Sequence, residues 1–433
     1  MPCPTRRLPE LLLAGALALT ACNSPDPAGA GASDAPSAAP AAPAAPAYAT
    51  ELARVDGALA AARQSVAQDA AFWPGHERVA RLLLERAALT GRFDDYAEAA
   101  ATVDLMARGP RLALCPTGIR VHLAVHRLAA ARALLDECGR GNGPGTPPAE
   151  LLSLQADLAM QQGDLAQARR LAQGVLATRE TPQDLARLAR YYELTGAPAE
   201  ALALLDRAEK IDHAATPVLR AWLALRRGLV ALHRGRWEEA LAHDLAAERW
   251  LAGWWLVEEH VAEVRALLGQ TAAAVTAYER LLAQEPRPEL MDALARLHLA
   301  HGRPDAAQAL IAEARAQYRG RLERLPEAAG HALAHDLAFA PATPATLALA
   351  RRAAQAGGAA RLDLARALIA AQRWGDARAE IAALRATSWR TAELHAVAHE
   401  AFRRAGDPAA AAREAQAAAA MNPHWREQYL PGG

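Results

Sequence analysis

The chain has 433 residues, enough for several small domains or one long repeat array. Hydrophobic residues make up 52% of it and aromatic residues 5%, and its 48 basic and 48 acidic residues cancel. Small apolar side chains, alanine above all, favour packed helices over sheets because alanine is the best helix former and is depleted in strands. The zero net charge excludes a broad nucleic-acid surface, which needs a basic excess.

The first 22 residues have the three parts of a secretory signal. Arg6 and Arg7 give the positive start, residues 11–19 form an apolar stretch, and small residues follow. The apolar stretch falls short of the 18 or more residues that a membrane-spanning helix needs. The chain is therefore predicted to be exported, with residues 1–21 as the signal peptide.

The signal ends in Leu-Thr-Ala-Cys, whose last residue is Cys22. This ending resembles the lipobox of bacterial lipoproteins, which implies cleavage before Cys22 and attachment of several acyl chains to it. The alternative is an ordinary signal peptide with an incidental cysteine. Asn23 follows, where an aspartate would favour retention in the inner membrane. The resemblance therefore implies an anchor in the inner leaflet of the outer membrane, with the protein facing the periplasm.

After the cysteine, the segment 22–48 is predicted to be a disordered tether. It consists mainly of Ala, Pro, Gly and Ser, a composition that cannot bury a core. Its prolines favour an extended chain that reaches roughly 80 Å at about 3.1 Å per residue. Residues 49–76 are then predicted to form a capping helix.

A turn signature recurs along the rest of the chain: a glycine, four residues, then an alanine that opens an apolar helix. It starts at Gly163, Gly196, Gly235, Gly269, Gly302 and Gly406, with variants at Gly91, His126 and Gln372. Successive steps are 35, 37, 33, 39, 34 and 33 residues, then 70, then 34. Glycine tolerates the left-handed conformation that ends one helix, and alanine lets the next helix pack closely. The step of 70 indicates one degenerate unit.

The spacing and several neighbouring positions resemble tetratricopeptide repeats (TPR). The matching residues include Leu185, Leu188, Ala189, Tyr192, Ala201, Ala208, Tyr278, Pro286, Phe402 and Pro423. The resemblance implies an all-α fold, an α-α superhelix (TPR-like solenoid) of about nine to ten helical hairpins over 77–425, followed by a tail at 426–433. It departs at 139–148, a lengthened loop, and at 320–357, where prolines interrupt the pattern. Such solenoids generally hold peptides or proteins in a concave groove.

Two cysteines lie in the predicted solenoid. Cys115 begins the first helix of one hairpin and Cys138 ends its second helix. An antiparallel pair brings these ends together, so a disulfide is predicted, worth about 3 kcal/mol on the chain-entropy model. The alternative is a pair of buried free thiols.

Two histidine pairs have spacing compatible with a metal. His331 and His335 are followed by Asp336, and His395 and His399 are followed by Glu400. Residues four apart share a helix face, but a zinc site needs a third protein ligand. The favoured interpretation is packed histidines, with no metal and no cofactor.

Tryptophans cluster at Trp250, Trp254 and Trp255 in a chain otherwise poor in aromatics. Exposed indoles anchor interfaces and stack on sugars, so these three are candidates for a binding surface. The favoured interpretation is inter-repeat core, although three rings within six residues are expected to leave at least one accessible.

No catalytic motif is found, and the glycine-rich loop at 139–145 follows no strand, so it is not a phosphate-binding loop. The resemblance to TPR solenoids and to lipoprotein signals implies a non-enzymatic scaffold or adaptor that binds protein partners in the cell envelope, supports an assembly there and is held to the membrane by lipid. The alternative is a carbohydrate-associated binding or export accessory protein. A catalytic assembly split between distant repeats is the third hypothesis.

Overall fold

The computed structural model describes residues 47–109, 115–141, 149–355 and 357–430. Over these ranges the chain is helical and contains no strand. None of the helices described there is both long enough and apolar enough to cross a bilayer. The predicted signal peptide, the lipidation site at Cys22, nearly all of the tether and most of the glycine-rich loop lie outside the described residues.

The described chain contains 22 α-helices and one short 3-10 helix, Pro326–Ala328. In chain order the α-helices are α1 Ala47–Gln68, α2 Trp73–Thr90, α3 Phe93–Met106, α4 Thr117–Ala124, α5 Leu128–Gly141, α6 Ala149–Gln162, α7 Leu165–Leu176, α8 Pro182–Leu194, α9 Pro198–Ile211, α10 Pro217–His233, α11 Trp237–Trp250, α12 Trp255–Leu267, α13 Thr271–Gln284, α14 Pro288–Ala300, α15 Pro304–Arg324, α16 Ala329–Phe339, α17 Pro344–Ala354, α18 Gly358–Ala370, α19 Trp374–Ala386, α20 Ala392–Arg404, α21 Pro408–Met421 and α22 Trp425–Tyr429.

Helices α2 to α21 pair into ten antiparallel hairpins, α2/α3 through α20/α21, here called units 1 to 10. Each unit packs on the next, because a single hairpin cannot bury its own apolar face. The predicted all-α solenoid of nine to ten hairpins is confirmed. Helix α1 covers the first unit and the short α22 packs back on α20. The residues predicted as a C-terminal tail, 426–433, thus include most of this helix, and the ring of Tyr429 in it is buried.

The turn signature marks the end of the first helix in nine of the ten units. Positive φ angles occur at all nine predicted turn positions, including the two variants without glycine, His126 (φ 59°) and Gln372 (φ 58°). The alanine five residues later is buried in eight of the nine, and Tyr96 is buried in the ninth. The repeat register is therefore correct: a left-handed residue closes the first helix and a small side chain admits the second.

Unit 8, formed by α16 and α17, is the degenerate unit. It is entered through the 3-10 helix, and its turn replaces the left-handed residue with Ala340 in extended conformation (φ −135°). Thr343 and Thr346 form a capping box, and Pro344 is the first residue of α17. The expected interruption is thus a regular helix start, since proline suits a first helical turn.

Unit 2 contains the disulfide predicted from the hairpin geometry. Cys115, just before α4, is bonded to Cys138 near the end of α5, with their Cα atoms 6.2 Å apart. Cys138 is buried in the same core as Leu134 and Leu135. The bond links the two helices at the end of the hairpin opposite its turn, just before the glycine-rich loop in the sequence.

The solenoid winds so tightly that its second turn rests on its first. In each of units 1 to 5, the turn between the two helices meets the loop that follows the unit five positions later. The contacts are Arg287 Nη2 donating to the Thr90 carbonyl, Arg127 Nε to Glu327 Oε1 at 3.2 Å, Gly163 against Gly358, Arg390 N donating to the Leu194 carbonyl at 2.8 Å, and Asn422 Nδ2 donating to the His233 carbonyl at 3.2 Å. Units 1–5 and 6–10 therefore form two stacked turns, and their line of contact is here called the seam.

Glycine is required where the seam is narrowest. A Cβ at Gly357, which has φ 107°, would collide with the carbonyl group of Gln161, and the backbones of Gly163 and Gly358 are in direct contact. A side chain at these positions would push the two turns apart.

Candidate functional site

Buried and half-buried polar side chains run along the first helices and connect several neighbouring units. They include Asp157 Oδ1 to Arg187 Nε at 2.6 Å, Glu193 Oε2 to Arg226 Nη2 at 2.6 Å, Asp292 Oδ1 to His335 Nδ1 at 2.8 Å and Glu393 Oε1 to Arg366 Nη2 at 2.7 Å. Buried charges are tolerated only when they are paired in this way. These contacts, here called the polar ladder, place charge on the inner side of the superhelix.

A cavity of about 330 Å³ opens on this inner side at the seam. Units 4 and 5 form one wall and units 8 to 10, with α22, form the other. The charged lining residues are Arg190, Glu193, Arg234, Asp363, Arg366, Arg390 and Glu393, and the apolar ones include Leu194, Val230, Leu362, Trp389, Met421 and Tyr429. The volume lies at the lower end of the range for small-ligand sites. The lining is therefore a mixture of charged and apolar ridges.

The charge on the first wall is centred on Glu193. Its carboxylate lies 2.9 Å from Arg190 Nη1, 2.6 Å from Arg226 Nη2 and in contact with His233 Nδ1. Burial by itself would raise the pKa of Glu193, but these cations hold it well below its usual value. On the opposite wall, Arg366 lies between Asp363 at 2.9 Å and Glu393 at 2.7 Å. Glu193 and Arg366 therefore each lie among groups of the opposite charge.

Two lining arginines differ from the rest. Within the described ranges, the Arg234 guanidinium has no carboxylate partner, and burial lowers its pKa. The Arg390 guanidinium donates to the carbonyl groups of Arg385 and Trp389 and, among the described residues, to no carboxylate. A guanidinium recognises a carboxylate through paired hydrogen bonds. The cavity therefore presents two guanidinium groups that could bind an anionic group.

The tryptophan cluster does not form the predicted binding surface. Trp254 is completely buried and Trp255 is 5% exposed, both within the core of units 5 and 6. Arg287 lies over the Trp255 ring at 4.1 Å and connects it to the seam at Gly91. Trp250 alone is partly exposed, with Arg220 over its ring. The expectation of a surface at Trp254 and Trp255 is wrong, because both rings fill space between units.

The predicted histidine pairs do not converge on a common point. His331 Nδ1 lies 3.0 Å from Glu289 and His335 Nδ1 lies 2.8 Å from Asp292. In the second pair, His395 Nδ1 lies 2.8 Å from Glu414. His399 Nδ1 is 2.9 Å from the Ala411 carbonyl, and its ring meets Trp425 edge on. Each of these four imidazole rings therefore contacts a different carboxylate or carbonyl group.

A different set of residues, in the part of the chain that the structure describes, comes close enough to share an ion. Glu259, His260 and Glu263 on α12 are all buried, and their ligand atoms lie within 4.8 Å of one another. In the sequence, three acids and a histidine occur at 258–263 within an otherwise apolar stretch. This pattern contains only one histidine, so the spacing of histidine pairs does not indicate it.

No family model and no curated protein matches this chain. Solved structures do match. The Rap protein complexed with competence and sporulation factor is 14% identical, with 78% of this chain and 96% of that chain covered and a TM-score of 0.44. Yeast Tom70 is 12% identical, with 86% and 83% covered and a TM-score of 0.36.

A chain of the Naa15/Naa10 complex bound to HypK-THB is 18% identical over 87% of this chain, with a TM-score of 0.30, and this chain spans only 64% of its length. At these identities the likeness concerns the fold alone. The repeated hairpins, the nine left-handed turns and the buried alanines define this protein as a TPR-like α-solenoid.

Proposed function

We propose that this protein is a lipid-anchored, non-enzymatic adaptor of the bacterial cell envelope that binds a protein segment in the cavity at the seam. The observation that carries the proposal is the cavity's mixed lining, with two guanidinium groups, Arg234 and Arg390, that lack a carboxylate partner among the described residues. The preferred occupant is a short peptide segment with a carboxylate beside an apolar side chain. Scaffolding of an outer-membrane or periplasmic assembly follows as its role.

A peptide suits this cavity better than a sugar. The two aromatic side chains in the lining, Trp389 and Tyr429, are only 5% and 8% exposed. Sugar binding commonly uses an accessible aromatic face for stacking, and neither ring presents one. Fixed charges next to small apolar residues such as Ala359 and Ala360 instead suit the alternating chemistry of a polypeptide.

The envelope address rests on the N-terminal pattern: a secretory signal, Cys22 and a spacer rich in alanine and proline. The spacer leads into α1, where the Tyr48 hydroxyl donates to the Leu89 carbonyl at 3.4 Å and the ring packs near Gly253. The tether would thus join the solenoid where its two turns meet. A spacer of this composition supports a body held away from the membrane and accessible to partners.

Photocrosslinking in intact cells tests partner binding. A photoreactive amino acid placed at Ala359, an exposed residue of the lining, is expected to give a discrete crosslinked product, whereas the same residue at exposed Ala382, outside the lining, is not. Arg234→Ala and Arg390→Ala are each expected to reduce the product by about 10-fold or more, since a hydrogen bond to a charged group contributes about 1.5–3 kcal/mol. Equal products from both positions, or a product that neither arginine variant reduces, would contradict the proposal.

Membrane attachment is tested separately. Cys22→Ser is expected to move the mature protein from the membrane fraction to the soluble fraction and to abolish incorporation of a labelled fatty acid, because the acyl chains provide the anchor. Cys3→Ser, in the same predicted signal peptide, is the matched control and should leave both readouts unchanged. Retention of Cys22→Ser in the membrane, together with unchanged labelling, would show that another group holds the protein there.

A further inference from the structure

The polar ladder has an unusual step at α12. In units 3 to 5 and units 7 to 10, buried and half-buried acids on the first helices meet an arginine or histidine of the neighbouring unit. On α12, in unit 6, Glu259, His260 and Glu263 also cluster with one another on a single helix. His260 Nδ1 lies 3.2 Å from Glu263 Oε2 and 3.5 Å from Glu259 Oε2, and Glu259 is 2% exposed. This group is here called the α12 cluster.

Two buried carboxylates at this cluster have an oxygen without a hydrogen-bond partner among the described residues. Glu259 Oε2, which points to His260, has none, and neither has Oδ1 of the buried Asp244 on α11. Asp244 interacts electrostatically with His260 and Glu263, and its carboxyl lies against Gly228, where a Cβ would collide with it. An orphaned carboxylate oxygen in an apolar interior is unfavourable unless a proton or a cation meets it.

The spacing of the ligand atoms matches a tetrahedral metal ion. Zinc binds histidine nitrogen and carboxylate oxygen at about 2.0–2.2 Å, so two ligand atoms in a tetrahedral site lie about 3.4 Å apart. The two separations from His260 Nδ1, 3.2 and 3.5 Å, bracket this value. The third pair, Glu259 and Glu263, lies within the 4.8 Å limit of the cluster. Small rotations of the two carboxylates would bring all three ligand atoms to the separations of a tetrahedral site.

Charge points the same way. Two buried carboxylates, Glu259 and Glu263, lie beside one imidazole, that of His260. A divalent ion suits this set of donors, because ionised carboxylates and neutral histidine are the ligating forms.

We propose that Glu259, His260 and Glu263 bind one divalent transition-metal ion, zinc by preference. One imidazole nitrogen with several carboxylate oxygens suits zinc and its first-row neighbours rather than calcium or magnesium. Since the ligands are buried, the ion is structural: it enters during folding and completes the polar ladder between units 5 and 7.

The experiment uses the full-length mature protein without a histidine tag. Metal analysis of the purified protein, and titration of the chelator-stripped protein with Zn²⁺ against a chromophoric chelator, are expected to show one equivalent bound. Glu259→Gln and His260→Gln are expected to weaken Zn²⁺ binding by about 100-fold or more, since loss of a group that merely orients a ligand already costs 10–100-fold. The bound ion is also expected to raise the melting temperature of the wild-type protein but not that of these two variants.

His335→Gln is the matched control, because His335 is also buried and also paired with an acid, Asp292. It should keep one equivalent of Zn²⁺ with unchanged affinity. Circular dichroism establishes whether each variant folds, and if the His260 variant does not fold, the wild-type titration and the isosteric Glu259→Gln variant decide. Absence of stoichiometric binding by the wild-type protein in both assays, or equal affinity in Glu259→Gln and wild type, would overturn the proposal.

Discussion

Replacing Trp254 with alanine is expected to lower the free energy of unfolding by about 3–5 kcal/mol. The indole is completely buried where units 5 and 6 pack together, so its removal leaves a large cavity in a stack whose units depend on their neighbours. The measurement is urea unfolding followed by circular dichroism, with the midpoint and slope compared between the variant and the wild-type protein.

Trp250→Ala is the matched control for this experiment. Its ring is partly exposed and stacks loosely under Arg220, 5.9 Å from the ring centre, so its loss should shift the midpoint by well under half as much. An equal shift for the two variants would mean that Trp250 and not only Trp254 is needed to join the units. A small shift for Trp254→Ala would contradict the burial of its ring.

Glu193→Gln is expected to have an effect of similar size, about 3–5 kcal/mol at neutral pH. Glutamine keeps the shape of the side chain but removes the negative charge that Arg190, Arg226 and His233 share in the cavity wall. Removing one partner of a buried ion pair is costly, because the remaining charge stays buried. Urea unfolding at neutral pH measures the loss, and a shift no larger than that of Glu200→Gln, an exposed acid on α9, would contradict it.

The same variant has a defined pH dependence. The pKa of Glu193 is held well below its usual value in the folded protein, so its contribution to stability is fully present above the unfolded-state pKa of about 4.5. That contribution is lost as the pH falls from there towards the folded-state pKa. Wild type and Glu193→Gln should therefore differ most at neutral pH and converge in acid. A difference that stays constant from neutral pH to pH 3 would show that the charge of Glu193 is not what stabilises the wall.

The repeat register was predictable because every part of it is local. A left-handed residue followed five positions later by a small one describes a single helix–turn–helix, and the signature found the turns even at His126 and Gln372. Cys115 and Cys138 are the two ends of one such hairpin, so their pairing followed from the same reasoning. Unit 8 was recognisable only as a missing turn signature in the sequence. Its turn uses an extended residue, Ala340, and a capping threonine, Thr343, in place of the left-handed residue.

The winding of the array was beyond local reasoning. The small rotation between neighbouring units adds up along the solenoid, and it depends on how side chains fill each interface rather than on the turn signature. Only after five units does it bring Leu194 to Arg390 and Gly163 to Gly358. The cavity lies at this seam, so Glu193 and Arg366, which are far apart in the chain, could not be recognised together.

The tryptophans show the same difference between what local sequence predicts and what long-range contacts decide. The sequence by itself determined the all-α class, the hairpin register and the position of the disulfide, because helix periodicity, turn conformation and hairpin closure act over a few tens of residues. Tertiary structure decided which faces are buried: it put Trp254 inside, gathered Glu259, His260 and Glu263 in one buried cluster, and left Arg234 facing a cavity. Burial and charge balance depend on which residues the neighbouring units and the next turn of the superhelix place against a side chain, and these contacts form only when the whole chain has folded.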